Sequence, residues 1–84
     1  MIKSYAEMTD DEARYAITAC VERNLRSGVA VADIYAALRN EVGVEDIALD
    51  IYPEPLNDGR LPKIEAGQFQ FMFMACGPSG ATIR

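Results

Sequence analysis

Apolar residues recur at helical spacing in the first half of the chain and at every second position in much of the rest. Ala13, Ala16, Ile17, Cys20, Val21 and Leu25 fall on one face of a helix, predicting a helix over Asp10–Arg26. Thr9-Asp10-Asp11-Glu12 marks its start as a capping box, with the Thr9 hydroxyl accepting from the Glu12 amide and the Glu12 carboxylate from the Thr9 amide. Arg14, Thr18, Glu22 and Arg26 make an i, i+4 row expected to face water, and Gly28 suits the left-handed position after the last turn. Val31, Ile34, Leu38 and Val42 predict a second helix over 31–42, stopped by Gly43, with Val44 folding back on the last turn. So short a connection makes the two helices neighbours.

Strand periodicity follows. In 44–52, Ile47, Leu49 and Ile51 alternate with Ala48, Asp50 and Tyr52. Val44, Ile47, Ala48 and Ile51 also satisfy a helical template, which would build a head resembling a helix-turn-helix. Length, isoleucine and tyrosine content and the lack of a polar cap after Gly43 favour the strand. Pro53-Glu54-Pro55 ends it, Asn57-Asp58-Gly59 is a turn signature, and 60–65 reads as a short edge strand limited by Pro62 and Lys63. In 69–76, Phe69, Phe71, Phe73 and Ala75 share one side of a strand, and Gln70, Met72, Met74 and Cys76 the other. The expected fold class is α+β, with two N-terminal helices packed on one face of a small antiparallel sheet in the order ααβββ. The phenylalanines face the helices together with Ile47, Leu49 and Ile51. One domain covers 1–76, opening with an arm over 1–8, and 77–84 is expected to be a flexible tail.

Composition narrows the function. The 84 residues allow one domain. At this length only about 60–65% of the unfolded chain's surface is buried, so a partner or a second copy would help a thin core. Half the residues are hydrophobic and 25% charged, an ordinary globular balance. No apolar run reaches the roughly 20 residues of a membrane span, and the start has no signal-peptide core, so a cytoplasmic protein is expected. The net charge of −5 opposes direct binding to nucleic acid. The helix-turn-helix alternative fails on the same ground, since 44–50 holds three acids and no base. Between Arg39 and Arg60 there is no basic residue, whereas Glu41, Glu45, Asp46, Asp50, Glu54 and Asp58 all fall there. Such a run is either a set of solvated faces or an acidic surface offered to a basic partner.

Catalytic and metal-binding signals are weak. The chain has no histidine, its two cysteines are far apart, and Asp10-Asp11-Glu12 lacks the spacing of a calcium loop. Cys76-Gly77-Pro78-Ser79-Gly80 is the one stretch resembling a reactive loop, but no base or cation adjoins Cys76 in sequence. No metal or cofactor and no enzymatic activity are therefore expected. Surface recognition remains. The leading expectation is a protein-binding module that lays the acidic residues from Glu41 to Asp58 on a basic surface of a larger protein. Were that surface one that holds nucleic acid, the module would be an inhibitor, as small phage-encoded anti-defence proteins often are; this step is an analogy of class. The alternative is a homodimer or larger assembly joined through Met72 and Met74, or through an open sheet edge. Tyr5, Tyr35 and Tyr52 are further candidate anchors.

Overall fold

The capping box forms as the sequence predicts. Thr9 Oγ1 accepts from the Glu12 amide at 3.1 Å, and a Glu12 carboxylate oxygen accepts from the Thr9 amide at 3.0 Å. From there α1 runs over Asp10–Arg26 and buries Ala13, Ile17, Cys20, Val21 and Leu25. It closes as a Schellman motif, in which Gly28 donates to Leu25 and Val29 to Asn24 while Gly28 takes a φ of 71°. The computed structural model describes residues 4–52 and 70–84.

The second helix departs from expectation in its last turn. α2 is α-helical over Val31–Ala37 and then widens into a π turn over Leu38–Val42, where the Gly43 amide donates to Leu38 at 2.9 Å. The extra residue in that turn leaves Leu38, Val42 and Val44 all buried, and Gly43 ends it with a φ of 93°. Val44 therefore packs in the core instead of opening the strand, and β1 spans Ile47–Tyr52. A strand there overturns the helix-turn-helix alternative.

β2 (Gln70–Cys76) pairs antiparallel with β1, placing Ile47 opposite Ala75, Leu49 opposite Phe73 and Ile51 opposite Phe71. The inner face thus carries the residues that alternation assigned to it, for those within the described range. Ile51 and Ala75 are buried there; Ile47, Leu49, Phe71 and Phe73 are half-buried against the core of the two helices. Phe69 and the expected edge strand over 60–65 lie outside the described residues. On the side of β1 away from β2, the Leu49 amide donates to the Tyr35 hydroxyl of α2 at 3.0 Å.

The expected flexible tail is the clearest correction. Thr82–Ile83 forms β3, which pairs antiparallel with the end of β2, Ile83 opposite Ala75 and Thr82 opposite Cys76. The loop between them is a three-residue hairpin connection. Gly77 donates to Ala81 at 2.7 Å, Gly80 donates to Gly77 at 2.9 Å, and Gly80 takes the left-handed φ of 92°. Asp10 ties this loop to the start of α1, accepting from the Ser79 hydroxyl at 2.7 Å and from its amide at 3.3 Å. Burial of Ile83 beneath the helices supplies the driving force that an unstructured tail would lack.

Gly77 sits where no side chain fits. A Cβ there would lie 2.7 Å from Asp10 Oδ1, 2.9 Å from the Ala81 carbonyl oxygen and 3.1 Å from Ile83 Cγ2. The Ala81 oxygen is backbone and cannot swing away. Gly77→Ala is expected to cost about 1–3 kcal/mol in urea unfolding; a midpoint equal to that of wild type would mean that the loop does not hold this close approach.

The N-terminal arm folds back as a single 3-10 turn over Tyr5–Glu7. Its tyrosine joins both ends of the molecule, donating from the hydroxyl to the Cys76 carbonyl at 2.6 Å, while its Cβ packs against the backbone at Gly43. Burial pushes the Tyr5 phenol above its ordinary value, with smaller contributions from Cys76 and Asp10. The sign follows from linkage. At neutral pH the phenol is protonated in both states and its hydrogen bond stabilises the fold. As pH rises past the ordinary value near 10, the unfolded chain ionises first and this stabilisation is lost through the higher folded value. Tyr5→Phe should lower stability by about 0.5–1.5 kcal/mol at pH 7. The difference between the two proteins should shrink above pH 10 in urea titrations. Curves that stay parallel to pH 11 would contradict the assignment.

Candidate partner-binding face

Strand alternation and register assemble a second surface on the side of the sheet away from the helices. On β1, Ala48, Asp50 and Tyr52 point outward; on β2, Gln70, Met72, Met74 and Cys76 do so. The register sets Ala48 opposite Met74, Asp50 opposite Met72 and Tyr52 opposite Gln70. Asp46 extends the acidic row by one step, because its carbonyl accepts from the Cys76 amide at 3.1 Å. Residues from two separate parts of the sequence therefore lie side by side: the acidic stretch supplies one row and the methionine strand the next.

The methionines are open. Met72 is 67% and Met74 51% exposed, and neither Lys nor Arg occurs in β1 or β2. Tyr52 contributes apolar area beside them and donates from its hydroxyl to Asp50 at 3.3 Å, an orientation that holds the carboxylate within the face. The central charge is thus presented on an open face among thioether and aromatic groups.

The remaining acidic positions go elsewhere. Glu41 lies on the π turn and pairs with Arg23 of α1, so it joins the two helices and does not belong to the outer sheet face. Glu45 is exposed in the link between the π turn and β1. Glu54 and Asp58 lie outside the described residues. Of the three tyrosines singled out above, Tyr5 and Tyr35 make internal hydrogen bonds to Cys76 and Leu49, and Tyr52 is on the outer face.

Two features escaped the sequence reading. Arg14, Glu22 and Arg26 of the i, i+4 row face water as expected, while Thr18 is half-buried and, with Glu22, borders a groove of about 700 Å³ between helix and sheet. Thr18 and Glu22 form its helical wall, both strands line it over Ala48–Asp50 and Phe71–Met74, and Arg84 borders it. Arg14, from the same row, donates through Nε to the Arg84 carbonyl at 3.0 Å. This groove explains why Leu49 and the two phenylalanines are half-buried, not sealed. The second feature is the hairpin that anchors Cys76. Its signal was present, for Gly-Pro-Ser-Gly places proline and two glycines where a tight turn uses them.

The two cysteines sit in different surroundings. Cys20 is buried in α1, and burial pushes its thiol up, with Glu41 adding to the rise and Arg23 and Asn24 opposing it. Cys76 is exposed, and among the described residues its polar neighbours are the Gly77 carbonyl, 3.8 Å from Sγ, and the Tyr5 hydroxyl on its own carbonyl. Neither is a general base or a cation. Among the described residues no group of three or more cysteine, aspartate or glutamate side chains is arranged to hold a metal ion, and no helix is long and apolar enough to cross a membrane.

Comparison with known proteins adds no relative: no family model matches the chain, and neither the curated proteins nor the solved structures contain a significant match.

Proposed function

We propose that the chain is a non-enzymatic protein-binding module that docks the outer face of its sheet on a basic surface of a larger protein. The observation that carries this reading is the register that sets Asp50 opposite Met72 and Ala48 opposite Met74 on an open face. Adaptable thioethers supply contact area, and Asp46 and Asp50 supply orientation and sign. The net charge of −5 favours approach to a cationic surface. Against a protein that uses such a surface to hold nucleic acid, the module competes with phosphate and acts as an inhibitor.

The test is capture of partners at low and high salt by the wild-type protein and by Asp46→Lys/Asp50→Lys. A partner retained by the wild type, weakened by salt and lost with the double change is the expected result. Retention that is indifferent both to salt and to the charge reversal would reject the acidic docking mode.

The exposure of Met72 and Met74 also favours a second reading, self-association through the same face. Light scattering during size exclusion at two concentrations separates the two. A mass that rises with concentration and returns to that of a monomer in Met74→Asp identifies a homodimer. A constant monomer mass leaves the face for a different protein.

A further inference from the structure

We propose that an extended peptide segment of a partner binds in the groove between α1 and β2 by strand addition, in line with β3 along the β2 edge. The direction of the β2 backbone is the first ground for this. The Cys76 amide donates to Asp46 on the β1 side, whereas the next amide, that of Gly77, donates to Ala81 on the β3 side. Backbone groups of successive strand residues point to opposite edges, so those of Ala75, Phe73 and Phe71 point the same way as Gly77. Ala75 meets β3, because Ile83 lies opposite it, and β3 ends at Ile83. Beyond that point the amides and carbonyls of Phe73 and Phe71 have no strand beside them among the described residues. The β1 edge is not equivalent, since there the Leu49 amide already donates to the Tyr35 hydroxyl.

The groove supplies the space. The Arg84 carbonyl, just past β3, accepts from Arg14 Nε at 3.0 Å, which sets α1 alongside the track of the third strand. Thr18 and Glu22, one and two steps further along the Arg14 row, wall the groove, and Leu49, Phe71 and Phe73 line it half-buried. The two repeats agree, for four helix residues rise about 6 Å and two strand residues about 6.6 Å. A segment continuing the track beyond Arg84 would therefore pass Thr18 and then Glu22. Register sets its chemistry. Ile83 is buried opposite Ala75, so residues of an added strand opposite Phe73 and Phe71 point inward as well. Two apolar side chains two residues apart would cover Leu49, Phe71 and Phe73, and Glu22 favours a cation at the far end over an anion. The same two residues would exchange main-chain hydrogen bonds with Phe73 and Phe71, as alternate pairs do along an antiparallel edge.

The probe is a capped pentapeptide with valine and isoleucine at its first and third positions, threonine at its second and fourth, and lysine at its fifth. One control carries N-methyl groups on the valine and isoleucine, which removes the donors aimed at β2 and keeps the side chains. A second control has serine in place of both apolar residues. Each is titrated into the full chain and followed by amide chemical shifts and hydrogen exchange. Support requires that the probe bind at least tenfold more tightly than both controls and slow exchange at Phe71 and Phe73 at least tenfold. Thr18→Trp, which fills the groove from the helix, should weaken the probe at least tenfold. Glu22→Lys, at an exposed position, should weaken it at least threefold and serves where the tryptophan disturbs folding. Equal binding of the N-methylated peptide, unchanged exchange at Phe71 and Phe73, or indifference to Glu22→Lys would overturn the proposal. Protection of those two amides in the free chain at every concentration would also overturn it, because the edge would already be paired. Protection that rises with protein concentration without peptide would assign the edge to a second copy and reject the partner segment.

Discussion

Replacing Ile83 by alanine is expected to lower stability by about 2–5 kcal/mol, the range for removing most of a buried isoleucine from a packed site. Ile83 is 3% exposed and belongs to the same core cluster as Ile17, Ile34 and Leu38. It also lies opposite Ala75, so its loss removes packing at the one place where β3 meets β2. The turn signal lies in 77–80, but the order of the residues after it comes from the fit of Ile83 in the core. Two-state urea unfolding gives the figure directly. A change below about 0.5 kcal/mol, the size expected of a surface position, would return the segment to the flexible tail that composition suggests. The hairpin glycine provides a second check, because the Cβ of Gly77→Ala presses on the same element from the backbone side, 2.9 Å from the Ala81 carbonyl oxygen and 3.1 Å from Ile83 Cγ2.

Met72→Asp is expected to abolish partner capture, by at least about 30-fold if Met72 acts as an interface hot spot of about 2 kcal/mol or more. Its effect on folding should be small, within about 0.5 kcal/mol, because the side chain is 67% exposed on a strand whose inward neighbours make the core contacts. The aspartate would stand opposite Asp50 in the register. Like charges directly across a strand pair repel, which places the expected small destabilisation on the unfavourable side. The measurement pairs a thermal unfolding curve with capture of the partner identified by the wild type. Loss of capture with an unchanged transition assigns Met72 to recognition. Capture equal to wild type would remove the methionine row from the interface. Were both to collapse together, Met72→Ser, which adds no charge, decides between recognition and folding.

Much of the architecture was legible before any coordinate. The Thr9 capping box, the apolar face of α1 and the inward set Ile47, Leu49 and Ile51 are local patterns, and each formed where the sequence placed it. Capping and alternation act over a few residues, so a short window contains all the information they need. The π turn is different. Whether the last turn of the second helix takes four or five residues depends on how Leu38, Val42 and Val44 are accommodated in the core, which no window of sequence contains. The same holds for the groove beside Thr18 and Glu22, which exists only once the sheet is placed next to α1.

Return to the strand that carries the phenylalanines and methionines. Alternation alone determined that Phe71 and Phe73 share one side, with Met72 and Met74 on the other, because successive residues of a strand point to opposite faces. It also determined that the chain has an acidic stretch without a basic residue. What tertiary structure decided is that these two features meet. Register, set by the pairing of β1 with β2, brings Asp50 beside Met72; the helical contact with Arg23 draws Glu41 away from them. It decided as well that the residues after Cys76 close the sheet, since the burial of Ile83 and the bonds from Ser79 to Asp10 exist only once α1 and β2 are in place.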